Sequence, residues 1–209
     1  TNAEGGAVYN AANGTIGTIS GATFGGSEEG KGNYAISTLA NDGHAYGGAI
    51  YNAGTIGDID NDVFSISDSL FEGNYVSSPV AAYGGAIYTT ETLYIKNTDF
   101  KNNKALVEHD RNSQGGAIYG DVTIYTAKNS DNSDHDIVFS GNIAEHGAAI
   151  CGGTISLVAE NGNITFENNN RTGTDLTESD GTTGIYAGSH LFLVTDNNHT
   201  ITINDDISA

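Results

Sequence analysis

A short pattern, Gly-Gly-Ala-Ile-Tyr-Asn, recurs along the chain and constrains its fold more than any other feature. Four clear copies, one degraded copy and one faint copy begin at Gly5, Gly47, Gly84, Gly115, Gly147 and Gly184. In the degraded copy, Cys151 stands where the clear copies carry tyrosine. Copies that return at intervals of 31 to 42 residues indicate a solenoid or another repeat array.

A second motif, Phe-x-x-Asn, alternates with the first. Its four copies pair Phe71 with Asn74, Phe100 with Asn103, Phe139 with Asn142, and Phe166 with Asn169. In the first repeat the asparagine is present as Asn33, but Gly30 stands where the phenylalanine is expected. We therefore expect the first repeat to be irregular.

Between the motifs lie short runs of β-branched and aromatic residues, such as 93–95 and 122–125, bounded by Gly, Asn, Asp or Ser. This pattern predicts short strands joined by turns. No window shows the sustained helical spacing of apolar residues, so we predict an all-β chain without a long helix. Polar segments that vary between repeats are predicted as loops, and they cover residues 76–83, 104–114, 127–136 and 170–183.

We interpret each repeat as one coil of a parallel β-helix, a solenoid of about five to six coils that forms a single domain over residues 1–209. Each coil is expected to hold three strands: the Ala-Ile-Tyr strand, a second strand like 92–95, and the strand that carries the phenylalanine. Parallel strands lie about 4.8 Å apart, so equivalent residues should stack.

The stacking predicts inner ladders of like side chains, with asparagine at a corner because it tolerates left-handed backbone angles and forms stacked amide ladders. The ladder residues are Phe71, Phe100, Phe139 and Phe166; Asn33, Asn74, Asn103, Asn142 and Asn169; and Ile50, Ile87, Ile118 and Ile150.

The alternation of Gly-Gly-Ala-Ile with Phe-x-x-Asn resembles the repeat of the chlamydial polymorphic outer-membrane proteins and related bacterial autotransporter passengers. The resemblance covers roughly residues 5–169, and the last 40 residues carry only traces of the motifs. It implies a right-handed parallel β-helix exported to the bacterial cell surface, typically acting in adhesion. It further implies that the chain is a passenger segment, without the translocator of an autotransporter.

The charge excludes several partner classes. The chain has 26 acidic and 7 basic residues, a net charge of −19. Nucleic-acid binding depends on Lys and Arg neutralising phosphates, and docking on an anionic membrane needs basic clusters. No apolar run is long enough for a membrane-spanning helix. Cys151 is the sole cysteine, which excludes an intrachain disulfide, and we expect it to be buried.

An enzyme is the least favoured hypothesis. Parallel β-helices include pectin-degrading lyases and hydrolases, and 97–99, Asn-Thr-Asp, resembles one motif of such enzymes. The other carboxylates and basic residues of that constellation are missing, and the two arginines, Arg111 and Arg171, fall in predicted loops. A strongly acidic surface would repel a polyanionic sugar. The sequence therefore predicts no catalytic residues.

No cofactor or metal ion is required by the sequence, although Ca²⁺ remains an alternative. Asp58, Asp60 and Asp62 alternate, which would place three carboxylates on one face of a strand, and oxygen ligands suit Ca²⁺. A solvated acidic face is the simpler interpretation. The six histidines show no metal-ligand spacing, and most are expected in exposed loops.

Two functions remain. The first is an adhesin that displays loops on a rigid stalk and binds a protein or glycan on a host or neighbouring cell. The second is an extracellular filament or matrix subunit that stacks end to end with copies of itself, since uncapped strand edges pair with other chains.

Overall fold

The computed structural model describes residues 2–28, 30–40, 42–107, 112–171 and 184–208. This part of the chain contains 28 short strands in five sheets and a single turn of 3-10 helix, Ile59–Asn61. The prediction of an all-β chain with almost no helix is confirmed. None of the helical structure in the described residues is long and apolar enough to cross a bilayer.

Sheet 1 has four strands, each lying just before a glycine pair, and they are Ala3–Glu4, His44–Tyr46, Ala81–Tyr83 and Ser113–Gln114. Sheet 2 has eleven strands. Those that follow a glycine motif are Val8–Asn10, Ile50–Asn52, Ile87–Thr89, Ile118–Tyr119, Ile150–Ala159 and Ile185–Thr195, and Ile207–Ser208 pairs with the last of these without such a motif before it. The remaining strands of sheet 2 are Ile19–Ser20, Ile66–Ser67, Leu93–Lys96 and Val122–Tyr125.

Sheet 3 carries the phenylalanine motif, and its six strands are Thr23–Gly25, Leu70–Glu72, Asp99–Lys101, Ile137–Ser140, Ile164–Glu167 and Ile201–Ile203. Sheet 4 follows the asparagine, and its five strands are Tyr34–Ile36, Tyr75–Ser78, Lys104–Val107, Ile143–Ala144 and Asn170–Arg171. Sheet 5 contains only Thr15–Ile16 and Thr55–Ile56.

Neighbouring strands in every sheet are parallel and come from successive repeats. The register places equivalent residues side by side: Ile50 pairs with Ile87, and Phe71 pairs with Phe100. A parallel partner must come from another repeat because the chain has to travel around before it runs again in the same direction. The repeated motifs therefore determine which strands pair.

Alternation along the strands separates a core from an outer surface. In Leu93–Lys96, Leu93 and Ile95 are buried, whereas Tyr94 and Lys96 are partly exposed. The main core joins the buried residues of sheets 2 and 3. A smaller core of alanines and Val76 lies between sheets 1 and 4. Burial of these narrow apolar stripes is the main stabilising term, and each repeat contributes its share.

The prediction of three strands per repeat was too low. The repeat that begins at the glycine pair of residue 84 contributes two strands to sheet 2 and one each to sheets 3, 4 and 1. Residues 76–83 were predicted as a loop but contain most of Tyr75–Ser78 and all of Ala81–Tyr83. Residues 104–114 likewise contain Lys104–Val107 and Ser113–Gln114. Small residues such as Ala82 and Ala105 hide these strands from a search for large apolar residues.

The remaining predicted loops divide into two cases. Residues 127–136 contain no strand and are mostly exposed, so that loop prediction is confirmed. In the segment 170–183, Asn170–Arg171 forms a strand of sheet 4, and the rest, 172–183, lies outside the described residues. Arg111 also lies outside them.

Beyond residue 169 the parallel pairing continues although the motifs fade. Ile185 pairs with Ile150, and Tyr186 pairs with Cys151, so the faint copy at Gly184 occupies the same position as the clear ones. Ile207 then pairs with Ile185. Pairing therefore persists in a segment where the sequence showed only traces of the repeat.

Candidate functional site

The phenylalanines of the second motif form one buried stack, which we call the Phe column. Ring centroids of Phe71 and Phe100 are 5.0 Å apart, those of Phe100 and Phe139 are 4.9 Å apart, and those of Phe139 and Phe166 are 4.6 Å apart. The rings are within 11° of parallel. Each such contact adds about 1 kcal/mol beyond burial of the ring.

The first repeat also contributes to the Phe column, which corrects the expectation of an irregular repeat without its phenylalanine. Phe24 pairs with Phe71 and stacks on it at 4.6 Å. Residues 25–32 intervene between Phe24 and Asn33, so the spacing of the motif is lost although the position is kept. Phe64 follows Thr55 by nine residues, as Phe24 follows Thr15, but it lies against Tyr125 instead.

The asparagines form a buried chain of hydrogen bonds, the Asn column. The Nδ2 of Asn103 donates to Oδ1 of Asn142 at 3.0 Å and to the carbonyl of Phe71 at 3.0 Å. The Oδ1 of Asn103 accepts from the backbone amide and from Nδ2 of Asn74. The column begins at Asn33 and ends where Asn169 donates to Asp205 Oδ2.

The left-handed corner belongs to the residue before Asn74, Asn103, Asn142 and Asn169, which corrects the role assigned to the asparagine backbone. Asn102 and Asn168 have φ of 57° and 56°, and Gly73 and Gly141 occupy the equivalent positions with φ of 68° and 65°. The asparagines of the column are absent from the positive-φ residues of the described chain. Their function in the fold is carried by the side-chain amide.

The isoleucines of the glycine motif complete the interior. Ile50, Ile87, Ile118 and Ile150 pair in sequence within sheet 2 and are fully buried. Apart from Asn33, which is partly exposed, the ladder residues are therefore interior and have no access to a ligand.

The Asn-Thr-Asp segment that resembles an enzyme motif is occupied by structural contacts. Asn97 has φ of 46°, donates to Asp68 Oδ1 at 3.2 Å, and accepts from the amide of Ala127 at 2.7 Å. Asp99 accepts from Lys101 at 2.7 Å and from the amide of Val138 at 2.9 Å. These contacts join neighbouring repeats.

The three aspartates considered for Ca²⁺ do not share a strand face, so that interpretation was wrong in its geometry. Asp58 precedes the 3-10 turn, Asp60 lies within it, and Asp62 ends it with φ of 58°. The Oδ2 of Asp58 accepts from Asn61 at 2.7 Å. Among the described residues, no group of three His, Cys, Asp or Glu side chains is arranged to hold a metal ion.

Two adjacent rows of aromatic residues cover part of the outer surface. The first, the outer Tyr column, comprises Tyr9, Tyr51, Tyr88 and Tyr119 on sheet 2. Successive rings stack with centroids 5.0, 5.3 and 5.4 Å apart. The second row, on sheet 1, contains Tyr46 and Tyr83, stacked at 5.4 Å.

The two rows contact each other edge to face, since the rings of Tyr46 and Tyr88 are 4.7 Å apart and inclined by 63°. Burial raises the pKa of Tyr46 to about 12, and the neighbouring hydroxyls of Tyr88 and Tyr83 contribute a smaller part of this rise. Burial also raises the pKa of Tyr119 to about 12. These hydroxyls therefore stay neutral at physiological pH, and the surface presents uncharged aromatic rings.

Both rows are interrupted at neighbouring positions, and a cavity of about 400 Å³ opens there. Gln114 follows Tyr83 in the sheet 1 row, and Cys151 follows Tyr119 in the outer Tyr column. The thiol of Cys151 lies 3.5 Å from Oε1 of Gln114. Burial raises the pKa of this thiol to about 12, so it is not a thiolate nucleophile at neutral pH.

A second depression, about 850 Å³, runs over the outer face of sheet 4. Tyr34, Tyr75, Lys104, Ile143 and Asn170 follow one another in register across it. The row changes from aromatic to basic, apolar and polar side chains, so it offers no repeated chemistry.

The loop of residues 127–136 is held against the turn near residue 196. Asp134 forms ion pairs with Lys128 and with His199, whose Nε2 lies 3.2 Å from Oδ2 of Asp134. Nδ1 of His199 is 2.8 Å from Asp196. These two carboxylates raise the pKa of His199, and the hydrogen bonds lower the pKa of Asp134 and Asp196.

The expectation that most histidines occupy exposed loops was wrong, since three of the five described histidines, His44, His146 and His190, lie in strands or in an isolated bridge. His44 lies in a strand of sheet 1, half-buried, with Nδ1 3.0 Å from the hydroxyl of Tyr46. His146 forms an isolated bridge with Gln114 and its ring lies 6.1 Å from that of Tyr186. His109 lies outside the described residues.

Comparison with known proteins agrees with this repeat structure. A family model of the Chlamydia polymorphic membrane protein repeat matches residues 68–90, 97–121 and 136–153. The resemblance predicted from the sequence is thereby confirmed. Each matched segment runs from the phenylalanine strand of sheet 3 to the glycine motif of sheet 2. Searches of curated proteins and of solved structures returned no match.

Proposed function

We propose that this chain, which carries the polymorphic membrane protein repeat, is a non-catalytic segment of a bacterial cell-surface protein that acts in adhesion. In this proposal it forms a single right-handed parallel β-helix, exported as an autotransporter passenger and exposed to the extracellular medium. The observation that carries the proposal is the register: three segments matched by one family model lie on top of one another, strand for strand. A rigid stack of this kind suits the display of a binding surface at a distance from the cell.

The contact surface is assigned to the outer side chains, since the ladders are interior. Residues 127–136 form an exposed acidic loop, with Asp131, Asp134 and Asp136. The outer Tyr column supplies aromatic area of the kind enriched at interfaces. The partner in this proposal is a protein or a glycan on a host or neighbouring cell.

Cell binding by the purified chain tests the proposal. Residues 130–132 should be replaced by Gly-Asn-Gly, which removes Asp131 and keeps the bond that the amide of Asn129 donates to the carbonyl of Ser133 across the loop base. Deletion of residues 104–114 would be a poor test, since it removes a strand of sheet 4.

A matched control replaces Lys104 and Asn170 by alanine on the outer face of sheet 4. We expect the loop variant to reduce binding to host cells or immobilised glycans, and the control to bind as the parent chain does. Absence of binding by the parent chain to every cell type and glycan surface would contradict the adhesive role.

End-to-end assembly is the second candidate function. Phe192, Leu193 and Val194 on the long strand Ile185–Thr195 are 50 %, 51 % and 42 % exposed. Exposed apolar strand residues favour pairing with another chain. Light scattering at increasing concentration tests this: growth that Phe192→Asp abolishes supports assembly, and a constant monomeric mass contradicts it.

A further inference from the structure

The cavity at the interruption of the two aromatic rows occupies a position from which one ring is missing. In sheet 2, Tyr119 pairs with Cys151, and Cys151 pairs with Tyr186. Parallel strands are about 4.8 Å apart, so the backbone positions of Tyr119 and Tyr186, which are two strands apart, are separated by about 10 Å. The side chain between them is a small thiol, and both tyrosines line the cavity.

The aromatic row on sheet 1 also lacks a tyrosine beside this cavity. Tyr83 in sheet 1 is followed by Gln114, whose amide oxygen lies beside the Cys151 thiol. Glycines 120, 152, 153 and 188 also line the cavity and add no side chains. The cavity is therefore a slot open to solvent, lined by Tyr119 and Tyr186, and the strand spacing leaves room in the row for one planar group between them.

A carboxylate stands at this slot. Asp121 lines the cavity, and its Oδ1 accepts from the amides of Gly153 and Thr154, both at 2.9 Å. These two bonds fix the orientation of the carboxylate. In the described part of the chain, Oδ2 of Asp121 has no hydrogen-bond partner.

We propose that this slot binds a planar cation, namely the guanidinium group of an arginine side chain presented by a partner. Tyrosine faces carry negative potential and attract a cation that lies over them. A guanidinium is flat, stacks on aromatic rings and pairs with a carboxylate through two parallel N–H bonds. The net charge of −19 further favours a basic partner.

The site goes beyond the proposed adhesive function, because it specifies the chemistry of one contact and can be tested without cells. The probe is N-acetyl-arginine amide, titrated into the ¹⁵N-labelled chain and followed by NMR. N-acetyl-lysine amide tests the need for a planar group, and N-acetyl-citrulline amide tests the need for charge.

Three variants locate the binding. Cys151→Tyr restores the ring that the clear repeats carry and fills the slot, so we expect loss of binding with an unchanged fold. Cys151→Ala keeps the slot empty and should bind as the parent chain does. Asp121→Asn retains an acceptor for both amides but removes the charge, and should weaken binding at least about tenfold.

We expect saturable shifts near Gly120 and Gly152 with the arginine probe, and binding at least about tenfold weaker with the lysine and citrulline probes. Equal binding of all three probes would overturn the proposal, as would undiminished binding by Cys151→Tyr. Absence of arginine binding, or binding of methyl β-glucoside instead, would also overturn it. None of these results bears on cell binding through residues 127–136, so the two proposals fail separately.

Discussion

Asn103 and Asn142 are joined through one oxygen, since Oδ1 of Asn142 accepts at 3.0 Å from both the backbone amide and the Nδ2 of Asn103. The second proton of that Nδ2 goes to the carbonyl of Phe71 in the preceding repeat. One buried side chain therefore connects three successive repeats. Such a chain of amides has a direction, because every Nδ2 donates toward the next repeat.

The direction of the Asn column predicts the effect of Asn103→Asp. A carboxylate is nearly isosteric with the amide but places an oxygen against two acceptors in a buried position. We expect the free energy of unfolding to fall by about 3 kcal/mol or more, given that each unsatisfied buried polar group costs about 1–3 kcal/mol. Urea denaturation measures the change.

The matched control is Asn33→Asp at the first, partly exposed end of the same column. Asn33 donates to Asn74 at 2.8 Å, but no other residue of the column donates to its Oδ1 in the described structure. The decrease in the free energy of unfolding should be less than half of that caused by Asn103→Asp. Equal losses at the two positions would show that the column contributes nothing beyond local turn structure.

The sequence was informative where a repeated position carries a large or distinctive side chain. Recurrence of Phe and Ile at the same place in each copy of a motif predicts parallel pairing, because only stacked repeats place like residues together. Backbone angles were harder to assign: Asn102 and Asn103 are adjacent and identical, yet the first takes the left-handed conformation and the second the amide ladder. Single-residue composition cannot separate these roles.

Other features were missed because sequence spacing did not reflect spatial position. Phe24 lies in the Phe column, but inserted residues separate it from Asn33. The strands of sheets 1 and 4 were missed because alanines and serines fill their inner positions. The outer cavity was missed as well, although Cys151 in a row of tyrosines was a visible signal.

Because the Phe column is closely stacked, we expect truncation of its central ring to lower the free energy of unfolding strongly. Phe100 is fully buried between Phe71 and Phe139, so Phe100→Ala leaves a cavity and removes two stacked contacts. We expect a loss of about 3–5 kcal/mol in the free energy of unfolding. Phe64→Ala is the control, since Phe64 is half-buried and contacts Tyr125 outside the column. A similar loss for both variants would contradict a specific role for the column.

The backbone around the second glycine of a pair is too close to leave room for a side chain, and an alanine substitution tests this. A Cβ on Gly85 would lie 2.0 Å from the carbonyl oxygen of Gly116 and 2.6 Å from the amide nitrogen of Lys104. Because both neighbours are backbone atoms and cannot rotate away, Gly85→Ala must displace the backbone around it. We expect a loss of more than about 2 kcal/mol or failure to fold.

Gly17 provides the comparison, since a Cβ there meets no atom within 4 Å. Gly17→Ala should leave the melting temperature unchanged or slightly raised, because alanine lowers the entropy of the unfolded chain. A melting temperature of Gly85→Ala equal to that of Gly17→Ala would refute the close approach of the strands.

The ion pairs of His199 predict that the loop 127–136 loosens as pH rises. Asp134 and Asp196 raise the pKa of His199 above its unfolded value, so its stabilising contribution is complete below about pH 6.5 and is lost as pH rises through the folded pKa. The partner carboxylates have lowered pKa values, so they stay ionised across that range. Amide hydrogen exchange in residues 128–135, corrected for intrinsic rates, should therefore accelerate from pH 6 to pH 8.

In the variant His199→Gln, these amides should exchange rapidly at both pH values, whereas the variant His190→Gln, altered on an exposed strand, should behave as the parent chain does. Exchange that does not change with pH in the parent chain would show that this histidine does not anchor the loop.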